Sequence, residues 1–310
     1  MVKNIYNKLS DDTRRAIEEF RQEALRKVVY TSFDGDDMHH MLKICDRVLK
    51  EDKIALNPEM ALGYYISTET LGEKKIEVMT DCLTLTIFSD DLWVYGDKEK
   101  LLSEGIMAEI FLWSQVKNRK ATFIPNIYGN EYTTLNYLEV SEWLEKMTKE
   151  EFRNDIFNNL LNGYKSTSHK TVYLGANFLN FKHIDWARVA LYKEKLCPIS
   201  PQNILNYYLY SENFNNNSRY LKDRLTLLNK SDIYWLCIDT SNFERELKNM
   251  DQYTLAELYM LNEVYTDKEV IVMDWSTLKV PKYNKMRQWA ITSLEQEEIL
   301  GENWPINFRR

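Results

Sequence analysis

Hydrophobic positions along the chain follow two different spacings. Short runs rich in β-branched and aromatic residues, such as VVYTSF at 28–33 and EVIVMDW at 269–275, are separated by stretches in which apolar residues recur every three or four positions. The first spacing predicts buried strands and the second predicts amphipathic helices. Because strands that alternate with helices form βαβ units, the pattern predicts an α/β protein with parallel sheets.

The same pattern predicts the order of the elements. In the first half we expect strands at 28–33, 54–58, 83–88 and 121–125, and WVYG at 93–96 extends or follows the third of these. The helices expected there run from Asp11 to Arg26, from after the first strand to Lys50, at 73–82 and near 103–117. In the second half we expect strands at 172–176, 197–201, 233–239 and 269–275, with helices at 181–194, 217–229 and 253–265.

The second half of the chain repeats the first. KVVYTSF, LNPEMALGYYI, DCLTLTIFSDD and AEIFLWSQV are followed in the same order by KTVYLGA, ISPQNILNYYL, DRLTLLNKSD and AELYMLNEV. The offset is nearly constant, at 143 positions for Tyr30 and Tyr173, Pro58 and Pro201, and Tyr64 and Tyr207, 142 for Asp81 and Asp223, and 148 for Glu109 and Glu257. A repeat of this length predicts two tandem domains of ordinary size.

The repeat sets the expected domain boundaries. Residues 1–130 form the first α/β domain with an N-terminal helix, and residues 168–310 form the second domain with a helical tail at 276–310. Residues 131–167 are predicted to be a helical linker between them. A length of 310 residues fits two domains.

Composition narrows the classes of function. An apolar content of 44% suffices for two cores, and a net charge of −7 gives no general attraction to nucleic acid. The cysteines are widely spaced, without a CxxC pair, so buried reduced thiols are expected rather than disulfides or a metal site: Cys45, Cys82, Cys197 and Cys237. No apolar run is long enough for a membrane span, and no phosphate-binding glycine motif is present. We therefore expect a cytoplasmic protein that does not bind membranes.

The repeated acidic residues are the candidates for chemistry. Ligands of open α/β sheets bind beyond the carboxyl ends of the strands. The second copy offers Tyr173 with Asp223, Asp251 and Glu257, and the first offers Tyr30 with Asp81 and Glu109, while Ser103 stands where the second copy has Asp251. A Glu oriented by a Tyr could attack the anomeric carbon of a sugar while a second carboxyl manages the proton. The alternative is that both Glu residues are solvated first-turn helix residues.

Several of these segments resemble the nucleoside 2-deoxyribosyltransferase-like superfamily. VYLGANF at 172–178, which contains Tyr173, Gly175 and Asn177, is similar to the family's first strand and loop. DQYTLAEL, with Asp251 and Glu257, is similar to its substrate-binding and nucleophile segment, and Asp223 matches its acidic helix residue. DLWVYGD and SEGIMAEI, with Ser103, Gly105 and Glu109, show a more distant likeness.

The resemblance implies both a fold and a reaction. The fold would be two tandem flavodoxin-like or Rossmann-like domains, and the reaction would be cleavage of an N-glycosidic bond through a glycosyl-enzyme, with no metal or organic cofactor. Glu257 would be the nucleophile, Tyr173 its orienting residue and Asp223 the acid/base group. The resemblance assigns substrate binding to Asp251, Gly175, Asn177, Ser103 and Gly105. Glu109, Tyr30 and Asp81 would form a second or vestigial site, so the second copy is the expected active one.

Two other functions remain open. The chain could transfer a sugar from an activated donor to a base in a nucleotide or nucleic acid, although its negative charge does not favour a nucleic-acid partner. It could also be a non-catalytic module that senses a nucleotide or binds a protein, because Tyr253-Thr254-Leu255-Ala256 replaces the glycines usual in the family. The expected partner is a small-molecule nucleoside, nucleotide or sugar nucleotide. Since family members often complete each other's sites, a homo-oligomer is a further alternative.

Overall fold

The chain forms two compact units in a computed structural model. It describes residues 3–33, 38–66, 71–96, 104–119, 121–125, 133–135, 169–176, 187–188, 191, 194–210, 217–238, 245–246 and 249–274. The first unit comprises Arg26–His169 and Asn203–Phe214. The second unit comprises Met1–Leu25, Lys170–Gln202 and Asn215–Arg310.

Two N-terminal helices open the chain and belong to the second unit: α1 (Lys3–Lys8) and α2 (Asp11–Gln22). Ser10 caps α2, since its hydroxyl accepts a hydrogen bond from the backbone N–H of Thr13. The helix then buries a stripe at helical spacing made of Thr13, Ala16, Ile17 and Phe20.

The first unit is built on a five-stranded sheet. Its strands are β1 (Val28–Phe33), β2 (Ile54–Leu56), β3 (Asp91–Tyr95), β4 (Ala121–Ile124) and β5 (Thr133–Leu135). Their order is β2-β1-β3-β4-β5; the first four are parallel and β5 is antiparallel to β4. Its helices are α3 (Met38–Lys50), α4 (Pro58–Ile66), α5 (Leu71–Phe88) and α6 (Glu104–Lys117).

The second unit repeats this arrangement with four parallel strands. They are β6 (Thr171–Ala176), β7 (Cys197–Ile199), β8 (Ile233–Ile238) and β9 (Glu269–Asp274), in the order β7-β6-β8-β9. A short helix α7 (Pro201–Ile204) and a 3-10 helix η1 (Asn206–Tyr210) follow β7, and the later helices are α8 (Asn217–Lys230) and α9 (Gln252–Glu263). Both sheets have the 2-1-3-4 order of doubly wound folds. The predicted fold class, α/β with two tandem Rossmann-like parallel-sheet domains, is confirmed.

Identical backbone details mark equivalent turns in the two units. Asp52, before β2, and Lys195, before β7, both have positive φ angles, 58° and 57°. In each unit the strand after this turn is anchored to the start of the inner strand beside it, β1 or β6, which we call the central strand. The N–H of Ile54 donates a hydrogen bond of 2.9 Å to the carbonyl of Lys27, and the N–H of Cys197 donates one of 2.9 Å to the carbonyl of Lys170. The repeat seen in the sequence is therefore also a repeat of local geometry.

An aspartate clamps the start of each central strand. Asp90 accepts a hydrogen bond of 2.8 Å from the N–H of Val28 at the start of β1. Asp232 accepts one of 2.7 Å from the N–H of Thr171 and another of 2.8 Å from its hydroxyl at the start of β6. Each aspartate lies just before the strand that pairs with the central one, so the clamp fixes the register between the two strands.

One predicted strand is wrong. Residues 83–88 were expected to form a strand, but they are the last part of α5, and the strand begins at Asp91. The hydroxyls of Thr84 and Thr86 donate to the carbonyls of Thr80 and Cys82, one helical turn back. Because this end of α5 is largely buried, its apolar run has no polar face that would reveal a helical period.

The compact units differ from the predicted domain boundaries of 1–130 and 168–310. The N-terminal helices belong to the second unit because α2 packs against α8 and α9, and Lys222 of α8 forms ion pairs with Glu19 (2.7 Å) and Glu23 (2.9 Å). Asn203–Phe214 belongs to the first unit because the Tyr207 hydroxyl accepts a hydrogen bond of 3.2 Å from the N–H of Ala55 on the edge strand β2.

The predicted helical segments are covered in part. Within the predicted linker 131–167, Thr133–Leu135 is a strand rather than a helix, since it pairs with β4. The remainder of the linker and the predicted tail at 276–310 lie outside the described residues. Among the helices that are described, none has the length and apolar character to cross a membrane.

Replacing the clamping aspartates should loosen one strand at a time. Asp90→Ala removes the acceptor for Val28, and Asp232→Ala removes the acceptor for Thr171. Loss of such a hydrogen bond costs about 1 kcal/mol. We expect amide hydrogen exchange to be about fivefold faster in β1 for the first variant and in β6 for the second, measured by mass spectrometry of strand peptides. Equal acceleration of both strands by either variant would contradict a local role.

Candidate functional site

Each unit places one glutamate beneath its central strand. Glu109 is the sixth residue of α6 and Glu257 the sixth of α9, and they are 5% and 0% exposed. The alternative interpretation of solvated first-turn residues is therefore wrong. The Tyr30 hydroxyl donates a hydrogen bond of 2.6 Å to Oε1 of Glu109, and that of Tyr173 donates one of 2.5 Å to Oε1 of Glu257. The structure thus brings together both Tyr–Glu pairs named from the sequence.

In the first unit, hydroxyl groups surround the carboxyl of Glu109. Ser32, two residues after Tyr30 and on the same face of β1, donates a hydrogen bond of 2.7 Å to Oε2. Burial raises the pKa of Glu109 to about 7, although the hydrogen bonds from Tyr30 and Ser32 lower it. The group therefore changes its charge close to neutral pH.

In the second unit, a buried arginine neutralises Glu257. Arg224 of α8 donates from Nε to Oε1 at 2.7 Å, and its Nη2 lies 2.5 Å from the same oxygen. The Tyr234 hydroxyl donates to Oε2 at 3.1 Å. Burial raises the pKa of Glu257, and the Arg224 charge opposes that rise. Because a guanidinium stays protonated, the pair is a buried salt bridge.

Aromatic rings enclose the arginine. Its guanidinium carbon lies 5.8 Å from the ring centroid of Tyr220 and 5.3 Å from that of Tyr253. Cation–π attraction stabilises the charge at such distances. Arg224 was not among the candidates named from the sequence, where it stands between two charged residues and the largely apolar run LTLL.

Gly175, which is predicted to bind substrate, lies against the ring of Tyr234. A Cβ atom at this position would lie 1.9 Å from the Tyr234 hydroxyl. The glycine therefore makes room for Tyr234, whose ring stacks on Tyr173 with centroids 5.6 Å apart. The ring fills the space that a side chain at 175 would occupy.

Three positions around the glutamate differ together between the units. The strand register makes Leu92 the equivalent of Tyr234, since Tyr30 is opposite Leu92 and Tyr173 is opposite Tyr234. The repeat also aligns Ser32 with Gly175 and Cys82 with Arg224. In the first unit, Ser32 of β1 donates to Oε2 of Glu109. In the second unit, Tyr234 of the neighbouring strand β8 donates to Oε2 of Glu257.

The two helix aspartates are buried but do not have the same surroundings. Asp81 of α5 is 1% exposed, and its Oδ1 lies 2.9 Å from Nδ1 of His169. Asp223 of α8 is fully buried and adjacent in sequence to Arg224. His169 was not identified from the sequence, because it lies 88 positions from Asp81 and no local spacing links the two.

The other predicted binding residues have structural roles or lie outside the described residues. Asp251 caps α9, since its Oδ1 accepts a hydrogen bond of 2.7 Å from the N–H of Thr254. Gly105 is the second residue of α6, while Ser103 and Asn177 are not described. At the end of β6, the carbonyl of Ala176 accepts hydrogen bonds from Gln202 (3.0 Å) and Thr254 (3.2 Å). This edge of the second sheet is thus tied to two neighbouring segments.

Metal binding finds no support in the part of the chain that the structure describes. There, no group of three or more His, Cys, Asp or Glu side chains is placed to hold a metal ion. All four cysteines are reduced thiols, and Cys45, Cys197 and Cys237 are buried. The chemistry available at the described sites is that of carboxyl, hydroxyl, imidazole and guanidinium groups.

Comparison with known proteins gives no match to a family model, a curated protein or a solved structure. The two glutamate sites are therefore best interpreted against each other. They share the Tyr–Glu hydrogen bond and differ in charge: Glu109 receives hydrogen bonds from two neutral hydroxyls, whereas Glu257 is paired with a cation.

The two glutamates should respond oppositely to removal of their charge. Glu257→Gln leaves the Arg224 charge buried without its counter-ion, which costs about 3–5 kcal/mol. The folded-state pKa of Glu109 is about 7 against an ordinary value of 4.5, so its contribution to stability is present below 4.5 and lost as pH rises through 7. Glu109→Gln should therefore be more stable than the wild type at pH 8, by up to about 3 kcal/mol. Urea unfolding of both variants at pH 5 and pH 8 tests this, and a destabilised Glu109→Gln at pH 8 would contradict it.

The three-position difference can be tested by rebuilding the first arrangement in the second unit. Gly175→Ser forces a side chain into the space of Tyr234, which should destabilise the protein by about 1–3 kcal/mol. Adding Tyr234→Leu removes the clash and lets the new serine donate to Oε2 of Glu257, as Ser32 does to Glu109. The double variant should then lose less free energy of unfolding than the two single variants lose together, as measured by a double-mutant cycle of thermal unfolding. Simple additivity would show that the two positions are independent.

Proposed function

We propose that the chain is an enzyme that acts on the N-glycosidic bond of a nucleoside or nucleotide, with Glu109 of the first unit as its nucleophile. The observation that carries this proposal is the carboxyl of Glu109, which is buried, oriented on both oxygens by hydroxyls and titrates near neutral pH. Perturbed carboxyl groups of this kind are typical of catalytic sites. The resemblance of SEGIMAEI to the deoxyribosyltransferase-like superfamily supports the same assignment.

The chemistry follows from the two hydroxyl donors. Tyr30 and Ser32 orient the carboxylate without cancelling its charge, so the ionised form keeps its nucleophilic electron pair. Attack on the anomeric carbon forms a glycosyl ester as the bond to the base breaks, and the electron pair of that bond leaves with the base. A second base or water then takes the sugar, which corresponds to transfer or hydrolysis.

The second unit is proposed to be a non-catalytic scaffold, which reverses the expectation from the sequence. The Arg224 guanidinium occupies Oε1 of Glu257, and the Tyr234 ring fills the space beside Gly175. Attack by Glu257 would require separation of a buried ion pair, and leaving one charge of such a pair uncompensated costs several kcal/mol. Because the same contacts tie α8, α9, β6 and β8 together, we assign them to stability.

Base release should depend on the first unit. Incubation with a panel of nucleosides and nucleotides, with and without a second free base, should show base release or exchange by chromatography. Glu109→Gln should lower the rate by about three orders of magnitude or more while the protein stays folded. The matched change in the second unit is the pair Arg224→Met with Glu257→Gln, which removes both charges of the ion pair and keeps a side-chain oxygen that accepts from Tyr173, so it should retain both fold and turnover.

The pH dependence follows from the same carboxyl. A nucleophile must be ionised, so the rate should rise as pH increases through about 7, the pKa of Glu109. Activity retained in Glu109→Gln but lost in the double variant would move the nucleophile to the second unit. Turnover with sugar nucleotides alone would instead support the transfer of a sugar from an activated donor.

A further inference from the structure

A second titratable pair lies in the first unit, apart from the Tyr–Glu contact. His169 precedes β6 in the chain, and its Nδ1 lies 2.9 Å from Oδ1 of Asp81 on α5. The His169 and Asp81 side chains are 10% and 1% exposed, so water is largely excluded from the contact between them. Solvent screening is weak at such a site, so a hydrogen bond between the two side chains is stronger than one at the surface.

The pair is connected by packing to the elements that hold the proposed nucleophile. Helix α5, which carries Asp81, packs against α6, which carries Glu109, and against β1, which carries Tyr30. Tyr30 in turn donates to Glu109. Burial and the charges of Glu109 and Asp81 also raise the pKa of the Cys82 thiol, which follows Asp81 on α5. His169 is therefore linked through α5 to the residue that orients Glu109.

The geometry determines what each partner can do. When Asp81 is ionised, its Oδ1 accepts a hydrogen bond from Nδ1–H of His169. This contact fixes the ring orientation and leaves Nε2 as the nitrogen that can gain or release a proton. A carboxylate that orients an imidazole is an arrangement that general acid–base catalysis uses. The acid/base role expected from the sequence belongs to Asp223, the counterpart of Asp81 in the second copy, and Oδ1 of Asp81 is itself engaged by the imidazole.

We propose that His169, held in orientation by Asp81, is the general acid that protonates the departing base. The inference rests on the proposed function of Glu109. As the Glu109 carboxylate forms its bond to the anomeric carbon, the carbon–nitrogen bond breaks and its electron pair moves to the base. The base nitrogen takes the proton from Nε2 of His169, which becomes a neutral imidazole. In the second half of the reaction, His169 takes a proton back from the incoming base or water. Asp81 is a positioning residue in this scheme.

Substrates that differ in their need for a proton test this role. Guanosine and 2′-deoxyguanosine need protonation to release their base, whereas their N7-methyl derivatives carry a positive charge and release the base without it. His169→Asn keeps a side-chain N–H donor for Asp81 but removes the titratable ring. General acid catalysis contributes about a hundredfold or more. We therefore expect the loss of kcat/KM in His169→Asn to be at least about thirtyfold greater for the unmethylated nucleosides than for the methylated ones.

Two variants separate this inference from the proposed function. Glu109→Gln should lose turnover of methylated and unmethylated nucleosides alike, because both need the nucleophile. Equal losses of both substrate classes in His169→Asn, with an unchanged unfolding midpoint, would overturn the role of His169 and leave the function of Glu109 standing. If wild-type protein releases base from neither class and from no other member of the nucleoside and nucleotide panel, the proposed function fails and the inference falls with it.

A second substitution covers the case in which His169→Asn does not fold. Asp81→Asn keeps an oxygen that accepts from Nδ1 but removes the negative charge that stabilises the protonated ring. It should show the same preference for the methylated nucleosides with a smaller loss than that expected for His169→Asn. A larger loss on methylated than on unmethylated nucleosides would contradict the inference.

Discussion

The hydrogen bond between a strand tyrosine and a buried helix glutamate is the interaction on which each unit depends. It joins β1 to α6 and β6 to α9, so it fixes a helix against the central strand of each sheet. A carboxyl group loses its hydration when it is buried there, and the loss must be offset by hydrogen bonds or by an opposite charge. The need to stabilise a buried carboxyl therefore limits which residues can surround the glutamate, whether or not it binds a substrate.

The two units satisfy this constraint in different ways. The first uses a second hydroxyl, from Ser32, and leaves Glu109 as a group that binds a proton near neutral pH. The second uses the Arg224 guanidinium and the Tyr234 hydroxyl, and Gly175 provides the space that the tyrosine needs. A titrating carboxyl is less stabilising than a neutralised one, which is the usual relation between a reactive site and a structural one.

Features with a local or repeated signal could be predicted from the sequence. The α/β class followed from the alternation of strand and helix spacings, and the Tyr30–Glu109 and Tyr173–Glu257 pairs followed from residues that recur at equivalent places. Features that depend on the third dimension could not be predicted. The contact of His169 with Asp81 joins residues far apart in sequence, and Arg224 has its partner on another helix. Residues 83–88 were assigned to a strand because this largely buried end of α5 shows no polar face.

The exchange of chain segments between the units has a consequence for synthesis. Helices α1 and α2 are translated before α8 and α9, on which they pack, and about 200 residues separate α2 from α8. The edge strand β2 similarly donates a hydrogen bond from Ala55 to the hydroxyl of Tyr207, which is translated about 150 residues later. Neither unit is a continuous segment of the chain, so each can close only after its distant segment has been translated, whereas domains commonly fold as they emerge. Helices α1 and α2 therefore have no partner surface to pack on until α8 and α9 have been made.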